Sequence, residues 1–366
     1  MKSDPPDLSV EWFSASNLRD WKELFGETFG VSLDEEYFLW KYSEHPLGFT
    51  ASTIASTNGQ LIGALGAVPR RFNVGGETLI GTHELDMMVR KGQRNMGVFF
   101  KLFKFRLSNP PPGEKVSLSL GLNDKVLRAF AERFLGYRDV DTVPQYLRVL
   151  DTSAWLDRRF GDRKIAKLLR LPLFLAFRAF DLVTYVRTLF TRFGLAVKKV
   201  DRFDERFDEL WEDVSKRFGV ATLRDSTYLN WRYTQNPGCS FETLTAEDKQ
   251  GRLAGFIVFS CLPAPVDTGV ILELVTRPGG KGVARLLTSR ALNRLRDLGS
   301  KSAAAWTFDH QENAAVLKSL AFRKKEQDLY LQVRRLSPEL DWDHLTERNR
   351  WFISMGDNDF YYGCPI

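Results

Sequence analysis

Two apolar periods follow one another along this chain, and their order of succession occurs twice. W-K-E-L-F-G-E-T-F-G-V-S-L-D-E-E-Y-F-L-W-K-Y-S-E-H-P, from Trp21 to Pro46, reads as helical and is followed by strands. T-I-A-S-T-N-G-Q-L-I-G-A-L-G-A-V sets apolar runs on either side of Asn58-Gly59, which predicts a tight hairpin. A further pair of strands is expected around N-V-G-G. The fourth strand, T-H-E-L-D-M-M-V, runs into V-R-K-G-Q-R-N-M-G-V-F and the amphipathic helix F-K-L-F-K-F-R-L. Another strand and helix, S-L-S-L-G-L-N-D-K-V-L-R-A-F-A-E-R-F-L, end at Gly136-Tyr137.

The helical opening returns as W-E-D-V-S-K-R-F-G-V-A-T-L-R-D-S-T-Y-L-N-W-R-Y-T-Q-N-P, from Trp211 to Pro237. Tyr37, Trp40, Tyr42 and Pro46 recur 191 residues on as Tyr228, Trp231, Tyr233 and Pro237. Gapless recurrence of such residue types marks a tandem duplication, with the shared Trp and Tyr as core anchors. Gly251 and Gly255 answer Gly59 and Gly63 in the second hairpin, and Ala321-Phe322 answers Gly136-Tyr137. The chain therefore divides into two similar domains, 1–150 and 201–336, a connecting segment 151–200, and a tail 337–366 without counterpart.

From Arg158 to Lys199 there are eleven Lys or Arg against Asp162 and Asp181, interleaved with L-L-R-L-P-L-F-L-A-F-R-A-F-D-L-V-T-Y-V-R-T-L-F. Arg170, Arg178, Asp181 and Arg187 interrupt the apolar run, so the segment lacks the roughly 20 apolar residues of a spanning helix. Two readings remain open: a helical linker packing its Phe and Leu stripe on both domains, or a basic interfacial helix on an anionic membrane. In the tail, Asp357 and Asp359 sit at the spacing of a calcium loop, but the later ligands are missing and a solvated turn is expected.

Charge narrows the partners. The net +6 suits an anion such as a phosphate-bearing cosubstrate or a membrane surface, and nucleic acid is not favoured by any motif. Cys239, Cys261 and Cys364 are odd in number and widely spaced, which suits a reducing compartment and offers no zinc-ligand spacing. The N-terminus has no signal-peptide pattern, so a cytoplasmic location is expected, with 158–199 as the candidate for peripheral contact with the inner membrane face. His45, His310 and His344 lack partner spacing and read as surface or capping residues. No G-x-S-x-G, H-E-x-x-H or P-loop motif is present.

The chemistry is sought at Val89 to Phe99, where a strand ends in a turn with Arg94 and Gly97 at R-x-x-G spacing and a helix begins. Amides at a helix N-terminus can hold a diphosphate. This stretch resembles motif A of the GNAT acyltransferases, V-x-x-x-x-(Q/R)-x-x-G-x-(G/A), with Phe99 in place of the last Gly or Ala. The second half supplies L-E-L-V-T-R-P-G-G-K-G-V-A, in which Gly282 and Ala284 fit the end of the motif and Gly279 replaces the Arg or Gln. The resemblance covers about 280 residues. It implies a mixed α/β protein of two tandem GNAT-type acyl-CoA N-acyltransferase domains, joined by a basic amphipathic helical linker.

The resemblance also implies roles. Val89 would end the strand that pairs with pantetheine, and Arg94, Asn95, Met96, Gly97 and Val98 would form the phosphate turn for acetyl-CoA or another acyl-CoA. Gly280, Gly282 and Ala284 carry the competing assignment to the second half. With Val89 set against Thr276, Asp86 falls opposite Glu273, at the strand position where many GNAT enzymes keep a general base. Strand alternation puts Glu84 on the face of Asp86, where two carboxylates would raise each other's pKa. Neither half has the Tyr that often serves as general acid in the family, since Phe130 and Leu317 stand there. The expected activity is acyl transfer, most simply acetyl transfer, to an amine of a small molecule or amino sugar. Its rivals are a Fem-type aminoacyltransferase using aminoacyl-tRNA and a non-catalytic acyl-CoA sensor or membrane-docked scaffold.

Overall fold

The computed structural model describes residues 8–93, 96–111, 114–161, 164–191, 194–262 and 266–358. Arg94, Asn95, Asp359 and Cys364 lie outside them. The first half runs β1 (Leu8–Trp12), α1 (Leu18–Phe29), α2 (Glu35–Tyr42), β2 (Thr53–Thr57), β3 (Gln60–Val74), β4 (Glu77–Val89), α3 (Met96–Ser108), β5 (Leu118–Asn123), α4 (Lys125–Leu135), β6 (Arg138–Thr142) and β7 (Gln145–Val149). Two helices connect the halves, α5 (Thr152–Phe160) and α6 (Lys164–Thr191). The second half runs β8 (Ala196–Val200), α7 (Glu205–Ser215), β9 (Val220–Thr222), α8 (Ser226–Leu229), β10 (Glu242–Glu247), β11 (Leu253–Cys261), β12 (Thr268–Thr276), α9 (Lys281–Asp297), β13 (Ser302–Trp306), α10 (Glu312–Ser319), β14 (Arg323–Lys325) and β15 (Tyr330–Arg335). A short α11 (Trp342–Thr346) belongs to the tail.

Local chemistry explains most of these boundaries. Asn58 and Gly59 both adopt positive φ, 50° and 74°, which matches the twist of the β2–β3 hairpin. N-V-G-G is the turn of one long hairpin, β3 with β4, so the expected third and fourth strands are parts of the same continuous ladder. Asp124, Asp151, Asp204, Asp225 and Asp341 each cap a helix by accepting backbone N–H groups. At the far end of α4 the chain turns through Gly136 at φ 70°, and the equivalent turn after α10 uses Ala321 at φ 61°.

The two sheets have matching orders, β1-β2-β3-β4-β5-β15-β6 and β8-β10-β11-β12-β13-β7-β14, with β9 added to the far end of β3. Each half thus gives its last strand to the other. β15 fills the place between β5 and β6, and β7 fills the place between β13 and β14. Among the described strands each sheet has one parallel pair, β4 with β5 and β12 with β13. The β4–β5 ladder stops at Glu84 and Gly121, and the β12–β13 ladder at Ile271 and Ala305, beyond which the strands part.

The repeated aromatic residues meet where the halves join. Trp40 stacks on Trp231 with ring centroids 4.8 Å apart. The indole N–H of Trp40 donates to the Trp231 carbonyl (2.8 Å), and that of Trp231 donates to the Trp40 carbonyl (3.1 Å). Buried indoles thus satisfy their polar edge across a local two-fold. The core-anchor reading of the repeat holds here. The tail covers the edge of β9: Trp351 bridges Val220, and Phe352 N–H donates to the Val220 carbonyl.

Two expectations change. Asp357 is buried, accepting from Arg224 and the Ser354 N–H, because a basic cluster between the halves needs its charge. His45 is also buried, edge-on to Trp231, where its Nδ1 accepts the Leu47 N–H. Burial above all, then the charges of Arg70, Arg71 and Arg232, lower the His45 pKa from 6.5 to about 3. His310 is exposed, as a surface residue is expected to be, with Nε2 3.0 Å from the Trp351 carbonyl; partial desolvation lowers its pKa.

A folded-state pKa below the unfolded one means that the unfolded chain binds the extra proton first. Between pH 6.5 and about 3, His45 therefore withdraws stability as the pH falls, by up to about 1.4 kcal/mol per pH unit. In His45→Asn, the urea midpoint should depend less steeply on pH between about 6.5 and 5; an unchanged slope would refute this assignment. Ala321→Gly should raise stability by about 0.5–1 kcal/mol, because glycine carries no Cβ penalty in the left-handed region. Thermal melts of the two proteins check it, and an unaltered or lower Tm would contradict the strain argument.

Candidate active site

A bulge shapes the first-half site. Gly66 pairs with Leu85 and Leu65 pairs with Met87, which leaves Asp86 unopposed at φ 46°. Gly66 is required here, since a Cβ would come within 2.9 Å of the Leu85 carbonyl and 3.0 Å of the Tyr42 hydroxyl. The bulge turns the Asp86 carboxylate to the end of α2, where it accepts from Lys41 Nζ (2.7 Å) and from the Tyr42 hydroxyl. Phe13 and Trp21 pack on the Tyr42 ring and fix its position.

Beside Asp86 the parted strands β4 and β5 enclose a cleft of about 180 Å³. Leu85, Met87, Phe99, Phe103, Leu122 and Phe130 give it an apolar lining, and His83, Glu84, Asp86, Asn123 and Asn358 supply polar groups. Phe99 lies edge-on to Phe130 at 5.1 Å and so fills the space between α3 and α4. A Gly or Ala at that position would leave this wall open.

Glu84 and Asp86 both face the cleft, but the bulge interrupts the two-residue alternation and each carboxylate has its own partners. Glu84 Oε1 accepts from Arg106, from Ser119 Oγ and from Thr82 Oγ (3.0 Å). Tyr137 donates to Ser119 Oγ (2.9 Å) and extends the network. Its hydroxyl is held above the ordinary tyrosine pKa by burial, against the opposing charges of Arg106 and Arg334.

Val89 pairs with Gly63 at the end of β4, and α3 begins at Met96. A Cβ on Gly63 would stand 2.7 Å from Val98 Cγ1, so this glycine lets the first turn of α3 lie against β3. Met96, Gly97 and Val98 are the first three residues of the helix, where amides point along the axis and the dipole favours an anion. Arg94 and Asn95, expected to complete the turn, lie outside the described residues.

In the second half the corresponding loop is preserved. Gly279 takes φ 74°, and Gly280 caps α9 where a Cβ would meet Thr276 and the Arg277 carbonyl within 2.8 Å. Gly282 lies in the first turn, and Ala284 is buried with its N–H on the Gly280 carbonyl. The strand position, however, is closed. Glu273 accepts from Arg224 Nε (2.8 Å), Ser354 Oγ (2.9 Å) and the Tyr233 hydroxyl (2.9 Å), and its side chain has 0% exposure. Gly356 of the tail lies so close that a Cβ there would be 2.1 Å from Glu273 Oε1. Asn313 Nδ2 donates to the Leu274 carbonyl, tying α10 to the free end of β12.

Arg224 also bonds Asp357 (2.8 Å), while Arg70 and Arg232 donate to tail carbonyls. Burial alone would lower the Arg224 pKa; the carboxylates of Asp357 and Glu273 more than reverse this and raise it. By contrast, the Asp86 side chain keeps 16% exposure, so only the first-half carboxylate of the aligned pair meets open space.

Sequence reasoning missed the partners of these acids. Tyr42 and Tyr233, 191 residues apart, each donate to the aligned carboxylate of their own half. The repeat showed both tyrosines; only the fold showed that their hydroxyls reach Asp86 and Glu273.

No protein-family model and no curated protein sequence matches this chain. Solved structures do match. A probable N-acyltransferase from Enterococcus faecalis V583 aligns over 90% of this chain and 73% of its own, with TM-score 0.60 and 13% identity. Saccharomyces cerevisiae N-myristoyltransferase with bound myristoyl-CoA aligns over 91% and 83%, with TM-score 0.59 and 13% identity. The fold is that of a tandem GNAT protein. A GCN5-related N-acetyltransferase from Kribbella flavida is similar over 90% of this chain and 72% of its own, at TM-score 0.59 and 14% identity.

The two aligned carboxylates should respond differently to truncation. Glu273→Ala removes a partner from fully buried Arg224 and should cost about 3 kcal/mol or more, whereas Asp86→Ala takes a partner from buried Lys41 but leaves space continuous with the cleft, where water can enter, and should cost less. Urea unfolding of both variants measures this, and equal losses would contradict the sealed-versus-open distinction.

Proposed function

We propose that this protein is an acyl-CoA-dependent N-acyltransferase whose donor site is the first-half cleft. The observation that carries the reading is the conjunction of parted strands, a helix N-terminus and a partly exposed carboxylate around one cavity. In this reading Val89 ends the strand that pairs with pantetheine. The amides of Met96, Gly97 and Val98, with Arg94 and Asn95, receive the pyrophosphate. The loop at Gly280, Gly282 and Ala284 is a scaffold, because the tail fills the strand position beside it.

Acyl transfer needs a neutral amine set against the thioester, and a group to take its proton. Asp86 is assigned that proton, directly or through water, with Lys41 and Tyr42 holding the carboxylate in place. Tyr42 is buried and does not line the cleft, so its part is to hold this carboxylate, and water is assigned the return of a proton to the departing thiolate. Glu84, tied to Arg106 and Ser119, positions the strand and the cleft wall. The acceptor class is a primary amine on a small molecule or amino sugar. The apolar lining supports donors from acetyl to longer acyl chains; the yeast neighbour was solved with myristoyl-CoA.

Isothermal titration should show binding of acetyl-CoA or a longer acyl-CoA at millimolar ligand or below, and mass spectrometry of the co-purifying ligand identifies the chain length. Absence of binding to all of them would sink the proposal. Thiol release over a panel of primary amines should fall by about a hundredfold or more in Asp86→Asn, with donor affinity retained. Loss of turnover in Glu273→Gln but not in Asp86→Asn would move the site to the second half.

A further inference from the structure

Among the described side chains of helix α6, those that meet the rest of the protein form one narrow stripe. They are Leu173, Phe177, Asp181 and Thr184, half-buried or buried and spaced four, four and three residues apart. Asp181 anchors it, accepting from Arg148 on β7 and from Arg296 on α9 (2.6 Å). The linker reading in which the Phe and Leu stripe packs on both domains leaves the remaining apolar residues unexplained. At 100° per residue, Leu168, Leu171, Leu175, Ala179, Leu182 and Val186 fall on the face opposite this anchor. Leu168 is 77% exposed, Leu171 65%, Leu175 55% and Leu182 63%. The stripe extends about 27 Å along the helix. Continuous apolar surface of this kind marks an interaction site.

The surrounding charge selects the occupant. Lys164, Lys167 and Arg178 are exposed on α6 and Arg158 and Arg159 just before it, while Arg170 lies on the anchored side and pairs with Asp157 of α5. Of the acids between 158 and 191, Asp181 points into the protein and Asp162 lies outside the described residues. Two copies of this face would set like charges beside each other with no acidic flank to match them. An anionic bilayer surface complements both the apolar stripe and its basic border. No described helix is long and apolar enough to cross a membrane, and Arg170, Arg178 and Asp181 keep α6 from doing so.

We propose that α6 lies in the plane of an anionic phospholipid surface, with the Leu168–Val186 stripe among the acyl chains and its Lys and Arg side chains at the headgroups. This surface is separate from the acyl-donor cleft and does not depend on the acyltransferase reading. Flotation of the full chain with phosphatidylcholine vesicles, with and without phosphatidylglycerol, tests it. Binding should be at least about tenfold stronger to the anionic vesicles at low salt and should weaken at high salt.

The double variant Leu175→Glu with Leu182→Glu should lose about tenfold or more of that binding while keeping the wild-type melting temperature, since both side chains are exposed. Indifference to lipid charge, or full retention of binding by the double variant, would overturn the proposal. So would failure to float accompanied by self-association in sedimentation equilibrium that the double variant abolishes, which would give the face to a second copy. Acyl-CoA titration of the same variant should match wild type, which separates this test from that of the cleft.

Discussion

The structure depends on the reciprocal exchange of β7 and β15. A sheet lacking the strand between β5 and β6, or between β13 and β14, would expose unpaired N–H and C=O groups on both flanks of a gap, which is costly where the surroundings are buried. Each half fills the gap of the other with five or six residues of backbone pairing. Neither sheet is complete without both halves, so the two share one folding unit even though each has its own splayed pair. The Trp40–Trp231 stack lies within this arrangement, each indole N–H finding the carbonyl of the other, which only two equivalent helices brought face to face can do.

The duplicated fold is not duplicated in use. Arg70, Arg224 and Arg232 are buried together between the halves, and buried charge is tolerable only when it is paired and hydrogen-bonded. The tail supplies Asp357 and a row of carbonyls, and in reaching them it passes directly over Glu273. The ion cluster that holds the tail thereby seals the second-half strand position. In the first half the aligned acid sits on a bulge, turned towards Lys41 and Tyr42, and the parted strands beside it stay open. One arrangement of strands thus yields a filled site and an empty one, and the difference arises from a segment that has no counterpart in the repeat.

Much of the local architecture was legible in the sequence. The Asn58-Gly59 turn, the helix following Val89 and the amphipathic connector all follow from residues within a few positions of one another, where propensity, φ preference and periodicity act. The duplication was legible because its anchors are large aromatic residues at a constant separation. Even the pairing of Asp86 with Glu273 could be set out by alignment of the two halves.

What the tertiary structure decided were the long-range choices. β7 and β15 are short strands that each pair with strands of the other half, far away in sequence, which no local pattern announces. The bulge that separates the surroundings of Glu84 from those of Asp86 depends on Gly66 in the neighbouring strand and Tyr42 beneath it. His45 and Asp357, polar residues in loop-like sequence, are buried because Arg70 of the first half and Arg224 and Arg232 of the second converge at the junction. Local sequence determined which elements form. The non-local pairing of strands and charges decided which of two equivalent clefts remains open.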